Sequence, residues 1–200
     1  MEDPQIAAML VNQCVINFIM VEQENIDWDL IREKLPFDRS PESKAKRNEL
    51  WNAIDVNGNG YLSLAEVDKG LRDVLQCDNI FDCKPVIIRA FNAAKQAVKT
   101  SMPYGDDYVT RPEFRLLILY LYQYFVYYQA FCRIDTGDDR RIDKGEFVEA
   151  KDMLEKWVGP IEDPEATFDE IDQNGGGQIL FDEFVEWAAK KNLELEEDDD

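Results

Sequence analysis

Residues 55–66, with the sequence DVNGNGYLSLAE, combine alternating oxygen-bearing side chains with a glycine at the sixth position and a glutamate at the twelfth. Gly60 favours a sharp turn because glycine adopts a positive φ at little steric cost. The side chains of such a turn converge on one point and suit Ca²⁺, a hard cation that takes about six to eight oxygens. The pattern is that of an EF-hand loop, whereas an ordinary Asn/Gly-rich turn leaves Glu66 unexplained. The predicted ligands are Asp55, Asn57, Asn59, the Tyr61 carbonyl, Ser63 through a water, and Glu66.

The pattern around this loop recurs along the chain. An aromatic residue and an apolar residue three positions later precede each copy, which predicts a helix entering each loop. An apolar residue at the eighth loop position predicts a short strand that pairs the hands in twos. The copies are Trp51, Ile54, Leu62 and Glu66; Phe91, Ala94, Val109 and Glu113; Phe131, Ile134, Ile142 and Glu146; and Phe168, Ile171, Ile179 and Glu183.

Four paired hands predict an all-α fold with two EF-hand lobes and an extra N-terminal helix. The acidic end, LELEEDDD, is typical of a solvated segment without fixed structure. The predicted organisation is an apolar helix in residues 1–27, an N-terminal lobe in 28–122, a C-terminal lobe in 123–190 and a disordered acidic tail in 191–200.

The loop at 172–183, DQNGGGQILFDE, is the second-best match to the calcium-binding pattern. Gly176 at the fifth position and Leu180 at the ninth supply no side-chain oxygen, although a water can replace either one. We therefore expect this loop to bind Ca²⁺ more weakly than the loop at 55–66. Its predicted ligands are Asp172, Asn174, a water at Gly176, the Gln178 carbonyl and Glu183.

The loop at 135–146, DTGDDRRIDKGE, is strongly anionic but departs from the pattern at two places. Gly137 takes a ligand position, and Arg140 takes the position of the turn glycine. A non-glycine residue there costs about 1–2 kcal/mol in the left-handed conformation. Calcium binding and a purely structural role both remain open for this loop. Its candidate ligands are Asp135, Asp139, the Arg141 carbonyl, Asp143 and Glu146.

The remaining copy is degenerate. The stretch from Lys95 to Glu113 is seven residues longer than the twelve of an EF-hand loop, and Lys95 replaces the first aspartate. We expect this hand to bind no calcium.

Composition narrows the function classes. The net charge of −20 disfavours nucleic acid as a direct partner, since nucleic-acid binding rests on basic surfaces. The chain has no histidine, which excludes Ser-His and Cys-His nucleophile pairs. The best-placed carboxylates already belong to the predicted calcium loops, so no enzymatic activity is expected. Four cysteines without zinc-like spacing and no signal-peptide pattern favour reduced thiols in the cytoplasm.

Two long apolar stretches stand outside the loops. Residues 114–134 contain 17 uncharged residues between Arg115 and Arg133, but five of them are tyrosines, so a buried helix, continuous or kinked, is favoured over a membrane span. Residues 6–21, IAAMLVNQCVINFIMV, predict a helix that is apolar on most sides. This helix could dock on the EF-hands of its own chain, dimerise, or contact lipid, in that order of preference.

The segments WDLIREKLPF, AKRNELWNAIDVNGNGYLSLAEV, EFRLLILYLYQYF and EDPEATFDEIDQNGGG resemble the calflagins, the flagellar calcium-binding proteins of trypanosomatids. The same segments are similar to the 25 kDa calcium-binding proteins of ciliates. The resemblance covers roughly residues 28–190 and implies a calcium sensor associated with a cilium or flagellum. Calflagins begin with Met-Gly for acylation, whereas Glu2 follows Met1 here, so direct lipid anchoring is not expected.

Three functional classes remain open from the sequence. A calcium sensor exposes an apolar groove when the ion binds, whereas a buffer barely changes its conformation. A structural scaffold uses bound calcium only to stabilise its fold. Unequal loops, an apolar N-terminal segment and many aromatic residues favour the sensor, whose protein target the sequence does not reveal.

Overall fold

The computed structural model describes residues 26–97 and 107–197, and the side chains among them up to Lys191. The predicted apolar helix of residues 6–21 lies outside these ranges. The described residues up to Phe125 form one compact unit, and those from Val126 form a second. The boundary between the units follows Phe125, whereas the boundary predicted from the sequence follows residue 122. Helix α6, Phe114–Ile134, contributes residues to both units.

The first unit contains five helices, two short strands and the beginning of α6. The two hands of this unit are paired through the antiparallel strands β1 and β2, in which Leu62 lies opposite Val109 and Tyr61 lies opposite Thr110. The elements are α1 Trp28–Lys34, α2 Pro41–Ile54, β1 Tyr61–Leu62, α3 Leu64–Asp73, α4 Asp78–Phe81, α5 Lys84–Ala97 and β2 Val109–Thr110.

The second unit repeats the arrangement with the last two hands. Strands β3 and β4 are antiparallel, with Ile142 opposite Ile179. In both units, the predicted pairing of the eighth loop residues is present. The elements are β3 Ile142–Asp143, α7 Lys144–Glu149, α8 Lys151–Val158, α9 Pro164–Ile171, β4 Gln178–Ile179 and α10 Phe181–Glu197. This architecture is the all-α EF-hand fold that the sequence predicts.

Side-chain caps determine where several helices begin. Ser40 precedes Pro41 and accepts a hydrogen bond from the Ser43 amide, and Asp163 precedes Pro164 and accepts from the Glu165 and Ala166 amides. A proline at the first helical position lacks an N–H that would otherwise remain unsatisfied, so it suits such a start. These caps fix the starting residues of α2 and α9, the helices that lead into the loops at 55–66 and 172–183.

The repeated apolar positions form the cores of the two units. Trp51 packs edge-on against Phe114 at 5.2 Å between ring centroids, and Phe147 packs against Phe168 at 6.0 Å. All of the repeat's entering-helix residues are buried: Trp51, Ile54, Phe91, Ala94, Phe131, Ile134, Phe168 and Ile171. The 3.6-residue periodicity of the sequence therefore identified the inner faces of these helices.

Helix α6 is continuous over 21 residues, which resolves the alternative between a continuous and a kinked helix. Most of its side chains are buried, including Tyr122 and Tyr127 at 1% and 2% exposure. Within the described residues, no helix is both long and apolar enough to cross a membrane.

Two features differ from the sequence-based expectation, and a third was not predicted. Helix α5 runs through Lys95 to Ala97, so the degenerate segment predicted to span 95–113 begins as helix. Lysine and alanine favour the helix, whereas the other hands have an aspartate at this position that turns the chain. Residues 191–197, predicted as part of a disordered tail, continue α10 as far as Glu197. The exiting helix of the third hand is interrupted at Ala150, between α7 and α8.

Asp38 ties the α1–α2 connection to the start of α2. Hydrogen bonds from Ser40 and Ser43, assisted by Arg47, lower the pKa of Asp38 to about 2 from its ordinary 3.8. A lowered carboxyl pKa stabilises the fold above pH ~4, and that contribution disappears as the pH falls from about 4 to 2. We expect Asp38→Asn to reduce the free energy of unfolding at pH 6, by less than about 1 kcal/mol because the carboxylate is exposed. Urea unfolding checks this, and an equal difference between the two proteins at pH 6 and pH 2 would contradict it.

Candidate metal centre

The loop at 55–66 is organised by hydrogen bonds from its own backbone to its predicted ligands. Asp55, the C-cap of α2, accepts the Asn59 amide at 3.1 Å and the Gly60 amide at 3.0 Å. The Asn59 side-chain oxygen accepts the Tyr61 amide at 2.9 Å. Gly58 and Gly60 have φ of 66° and 81°, the left-handed region that glycine permits. The turn predicted at Gly60 is therefore present, and it brings the first and fifth ligand positions together.

Glu66 lies in the first turn of α3 and faces the loop. Its Oε2 accepts the Ser63 amide at 2.9 Å and the Ser63 hydroxyl at 2.8 Å, while the Ser63 oxygen accepts the Glu66 amide. This reciprocal capping box fixes the start of α3. The other carboxylate oxygen accepts from Asn57 Nδ2 at 2.8 Å. The twelfth position is thus connected to the third and ninth positions across the loop.

The loop at 172–183 has the same connections. Asp172 accepts the Gly176 and Gly177 amides at 3.0 and 2.7 Å, and Asn174 Nδ2 donates to Glu183 at 2.7 Å. Gly176 is at the fifth position, where a Cβ would lie 2.5 Å from Asn174 Oδ1. A side-chain ligand at this position would require Asn174 to move, so the missing fifth ligand is compatible with the local packing.

The loop at 135–146 also adopts this geometry, despite its departures from the pattern. Asp135 accepts the Asp139 and Arg140 amides at 3.2 and 2.8 Å, and Glu146 accepts the Gly137 amide at 2.8 Å. Arg140 has φ 66°, the left-handed conformation that the turn requires. Its side chain does not prevent the turn, but the backbone conformation is costly for a residue with a Cβ.

The remaining predicted ligands of this loop occupy the expected positions. Asp139 Oδ1 accepts the Arg141 amide at 3.0 Å, and Asp143 caps α7 by accepting the Glu146 amide at 2.8 Å. The Arg141 side chain crosses to the neighbouring loop, where it donates to Gln178 Oε1 at 2.8 Å. The seventh residues of both loops are therefore joined by a side-chain contact that the sequence pattern does not reveal.

The conformation of Arg140 leads to a prediction for its loop. Arg140→Gly removes the left-handed strain of about 1–2 kcal/mol and one positive charge beside the candidate ligands. We expect the calcium affinity of this loop to rise about tenfold, as measured by calorimetric titration. Arg140→Ala serves as the comparison, because it removes the same charge but keeps a Cβ on the left-handed residue, so it separates relief of strain from loss of charge. An unchanged titration for Arg140→Gly would contradict the prediction.

The degenerate hand keeps only the end of the EF-hand arrangement. Glu113 is 2% exposed and accepts the Thr110 amide at 2.7 Å and the Thr110 hydroxyl at 2.8 Å. These bonds match those between Ser63 and Glu66 in the preceding hand. In the described residues, this glutamate therefore has a capping role and supports β2, the strand partner of the loop at 55–66.

The donor chemistry of the three regular loops fits Ca²⁺. Their side chains supply carboxylate, amide and hydroxyl oxygens, which hard cations prefer, and their turns bring these groups together. Among the described residues, no three His, Cys, Asp or Glu side chains form a metal-binding cluster. The EF-hand arrangement differs from such a cluster because it also relies on asparagine and serine oxygens and on backbone carbonyls.

Comparisons with known proteins agree with this geometry. The FCaBP EF-hand domain matches residues 31–121, and an EF-hand domain pair matches residues 125–189. A flagellar calcium-binding protein of Trypanosoma cruzi is 35% identical over 175 residues, which cover 86% of this chain and 83% of that protein. The chain belongs to the flagellar calcium-binding protein family. This membership confirms the resemblance inferred from the sequence, and it identifies the chain as an EF-hand protein that binds Ca²⁺.

Other members of the family are similarly close. The flagellar calcium-binding protein TB-17 of Trypanosoma brucei brucei is 37% identical over 177 residues, covering 88% of this chain and 76% of that protein. The protein TB-24 of the same organism is 37% identical over 172 residues, covering 85% of this chain and 79% of that protein. The similarity therefore extends over most of the chain.

One residue that matters for the first hand was not identified from the sequence. Gly70 lies within α3, where a glycine costs about 1 kcal/mol relative to alanine. A Cβ at this position would lie 2.7 Å from Cγ1 and 2.9 Å from Cδ1 of Ile54, the last residue of α2. Gly70 therefore allows the helices on either side of the loop to approach closely. A glycine inside a helical pattern is the sequence signal that could have indicated this contact.

Proposed function

We propose that this protein is a calcium sensor, in which Ca²⁺ bound by the loop at 55–66 changes the packing of α2 against α3. The observation that carries the proposal is the close contact between Gly70 and Ile54 next to that loop. The twelfth ligand, Glu66, belongs to α3, and the first ligand, Asp55, ends α2. An ion held between them acts on both helices at once.

The hydrogen bonds of Glu66 support a rearrangement on ion binding. One of its carboxylate oxygens accepts from Asn57 and the other from Ser63. Bidentate coordination directs both oxygens toward the ion and exchanges at least part of these contacts. Because Glu66 lies in the first turn of α3, this exchange is coupled to the position of the helix.

A buffer is the second candidate. In a buffer EF-hand, the helices barely move when the ion binds. The connection of the last two loops through Arg141 and Gln178 favours such rigidity in the second unit. We assign the switch to the first unit, where the loop has every side-chain ligand, and a supporting role to the second.

We further propose that the protein acts in a cilium or flagellum and binds a protein target there without catalysing a reaction. The family relationship supports this location, because the relatives are named as flagellar calcium-binding proteins. Fluorescence microscopy of the tagged chain in its own cell tests the location. An even distribution through the cell body would contradict it.

A calcium titration followed by two probes tests the sensor against the buffer. Near-UV circular dichroism reports the surroundings of the buried aromatic side chains, Trp51 among them, and an apolar dye reports newly exposed surface. We expect both signals to change together as the tightest site fills, and magnesium to act poorly because it prefers octahedral coordination. Calcium binding in calorimetry without a change in either probe would identify a buffer.

A further inference from the structure

We propose that residues 6–21 of this chain dock in a groove formed by α1, α2 and the end of α3. The groove has a volume of about 370 Å³. Its floor is apolar and its rim carries two basic and two acidic residues. The floor consists of Pro36, Leu50, Ala53, Val74 and Leu75.

The first unit buries Pro36 and Leu75 but leaves the rest of the floor at least partly exposed to solvent. Leu50 and Ala53 are three positions apart on α2, so they share a face of that helix, and it differs from the face that buries Trp51 and Ile54. Val74 is 36% exposed next to them. Leu30 is 44% exposed and lies three positions before Glu33, a groove residue of α1. Exposed apolar side chains therefore lie on α1, on α2 and directly after α3.

The chain itself contains an apolar segment that is close in sequence to the groove. Residues 6–21 contain no charged side chain and are apolar except for Asn12, Gln13 and Asn17. Only residues 22–25 separate this segment from Ile26, where the described structure begins. Connections of about two to five residues join antiparallel helices. We expect a segment that turns back there to run along α1 toward Lys34, which lines the groove.

The charge of the groove favours this occupant over a charged peptide. Two rim residues are acidic, Glu33 and Glu49, and two are basic, Lys34 and Lys46. Their charges balance, so the groove attracts neither a basic nor an acidic partner over distance. An uncharged apolar helix gains instead from the burial of its side chains on the floor.

The groove is coupled to the first calcium loop. Its walls include the helix that enters the loop and the residues that follow the helix leaving it. Lys34 Nζ donates to the Gln76 carbonyl at 2.5 Å, which ties the end of α1 to the end of α3. This part of the inference rests on the proposed sensor function, because a change between α2 and α3 alters the groove. Calcium then changes how tightly residues 6–21 dock.

Paramagnetic relaxation in the full chain tests the docking. A nitroxide is attached to Cys14 in the Cys132→Ser protein, in which Cys77 and Cys83 are buried. We expect the amide signals of Ala53 and Val74 to broaden strongly and that of Ile88, exposed on α5, to remain sharp. Ala53→Arg should remove the broadening, whereas Asn52→Arg, exposed on the same helix, should leave it unchanged.

Several outcomes would overturn the proposal. Sharp groove signals in the labelled chain would show that the segment lies elsewhere. Broadening that appears only when a labelled copy is mixed with an isotope-enriched, unlabelled copy would assign the groove to a second chain. If the groove signals are not broadened and the labelled segment binds phosphatidylcholine vesicles, the segment contacts lipid and not the groove.

The same sample separates this inference from the proposed function. Broadening that does not respond to calcium supports the docking and contradicts its coupling to the first loop. A calcium-dependent change in circular dichroism without broadening supports the sensor and contradicts the docking. We expect broadening that changes in intensity at least twofold between calcium and a chelator.

Discussion

Glu66→Gln should abolish the tightest phase of calcium binding. The substitution removes a negative charge and one oxygen of a bidentate ligand, while the size of the side chain and its ability to accept from Ser63 are retained. Calcium affinity in EF-hands varies over several orders of magnitude with the charge of the ligands. We expect a loss of at least about 100-fold, equivalent to ~2.7 kcal/mol, in calorimetric titration.

The matched substitution Glu183→Gln provides the control. Glu183 occupies the twelfth position of its own loop and has the same contacts, with Asn174 and with the residue at the ninth position. This change should affect only a weaker phase, because that loop lacks side-chain ligands at its fifth and ninth positions. If Glu66→Gln leaves the tightest phase intact while Glu183→Gln removes it, the ranking of the loops is wrong.

Gly70→Ala should raise calcium affinity at the first loop. The added Cβ would lie 2.7 Å from Ile54 Cγ1, so the Ile54 side chain or α3 must shift. We expect α3 to move away from the end of α2, because Ile54 is buried and β-branched and therefore stiff at χ1. In sensor hands, calcium favours the more open arrangement of these helices. The substitution therefore supplies part of the free energy of helix opening that calcium binding must otherwise provide. We expect a rise of about three- to tenfold, together with increased apolar dye binding before calcium is added.

A substitution of Ile54 shows whether the effect of Gly70→Ala on calcium affinity is steric. Ile54→Ala removes all three carbon atoms that the new Cβ would approach, at 2.7, 2.9 and 3.1 Å. In that background, Gly70→Ala should have little effect on affinity, since the two changes share one contact. An equal effect of Gly70→Ala in both backgrounds would indicate helix propensity as the cause, because alanine favours a helix by about 1 kcal/mol over glycine. An unchanged or lower affinity for Gly70→Ala alone would contradict a sensor.

The local features of the fold could be predicted because each depends on residues close in sequence. Alternating ligands and the turn glycine are encoded within a loop, so the geometry around Asp55 and Gly60 follows from twelve residues. The strand pairs Leu62–Val109 and Ile142–Ile179 followed from the repeat, since equivalent residues meet across the paired hands. Burial of the entering-helix residues followed from their spacing.

Features that depend on packing between elements could not be predicted in this way. Nothing in the loop pattern indicates that Gly70 meets Ile54, because the distance of 2.7 Å depends on how two helices cross. The Arg141–Gln178 contact needs the two loops side by side. The continuation of α5 to Ala97 follows from Lys95 in place of a turn-forming aspartate, but the replacement alone does not indicate where the helix ends. Likewise, the acidic composition of the final segment predicted disorder, although α10 continues to Glu197.

The distance between α2 and α3, with and without calcium, tests the sensor mechanism most directly. Spin labels at Asn52→Cys and Lys69→Cys, both exposed positions, report it by pulsed electron resonance once Cys14 and Cys132 are changed to serine. A rotation of about 40° acting over about 8 Å of helix should change the distance by about 5 Å. Glu66→Gln should suppress this change. The same distance with calcium and with a chelator, in a protein that binds calcium, would contradict the sensor.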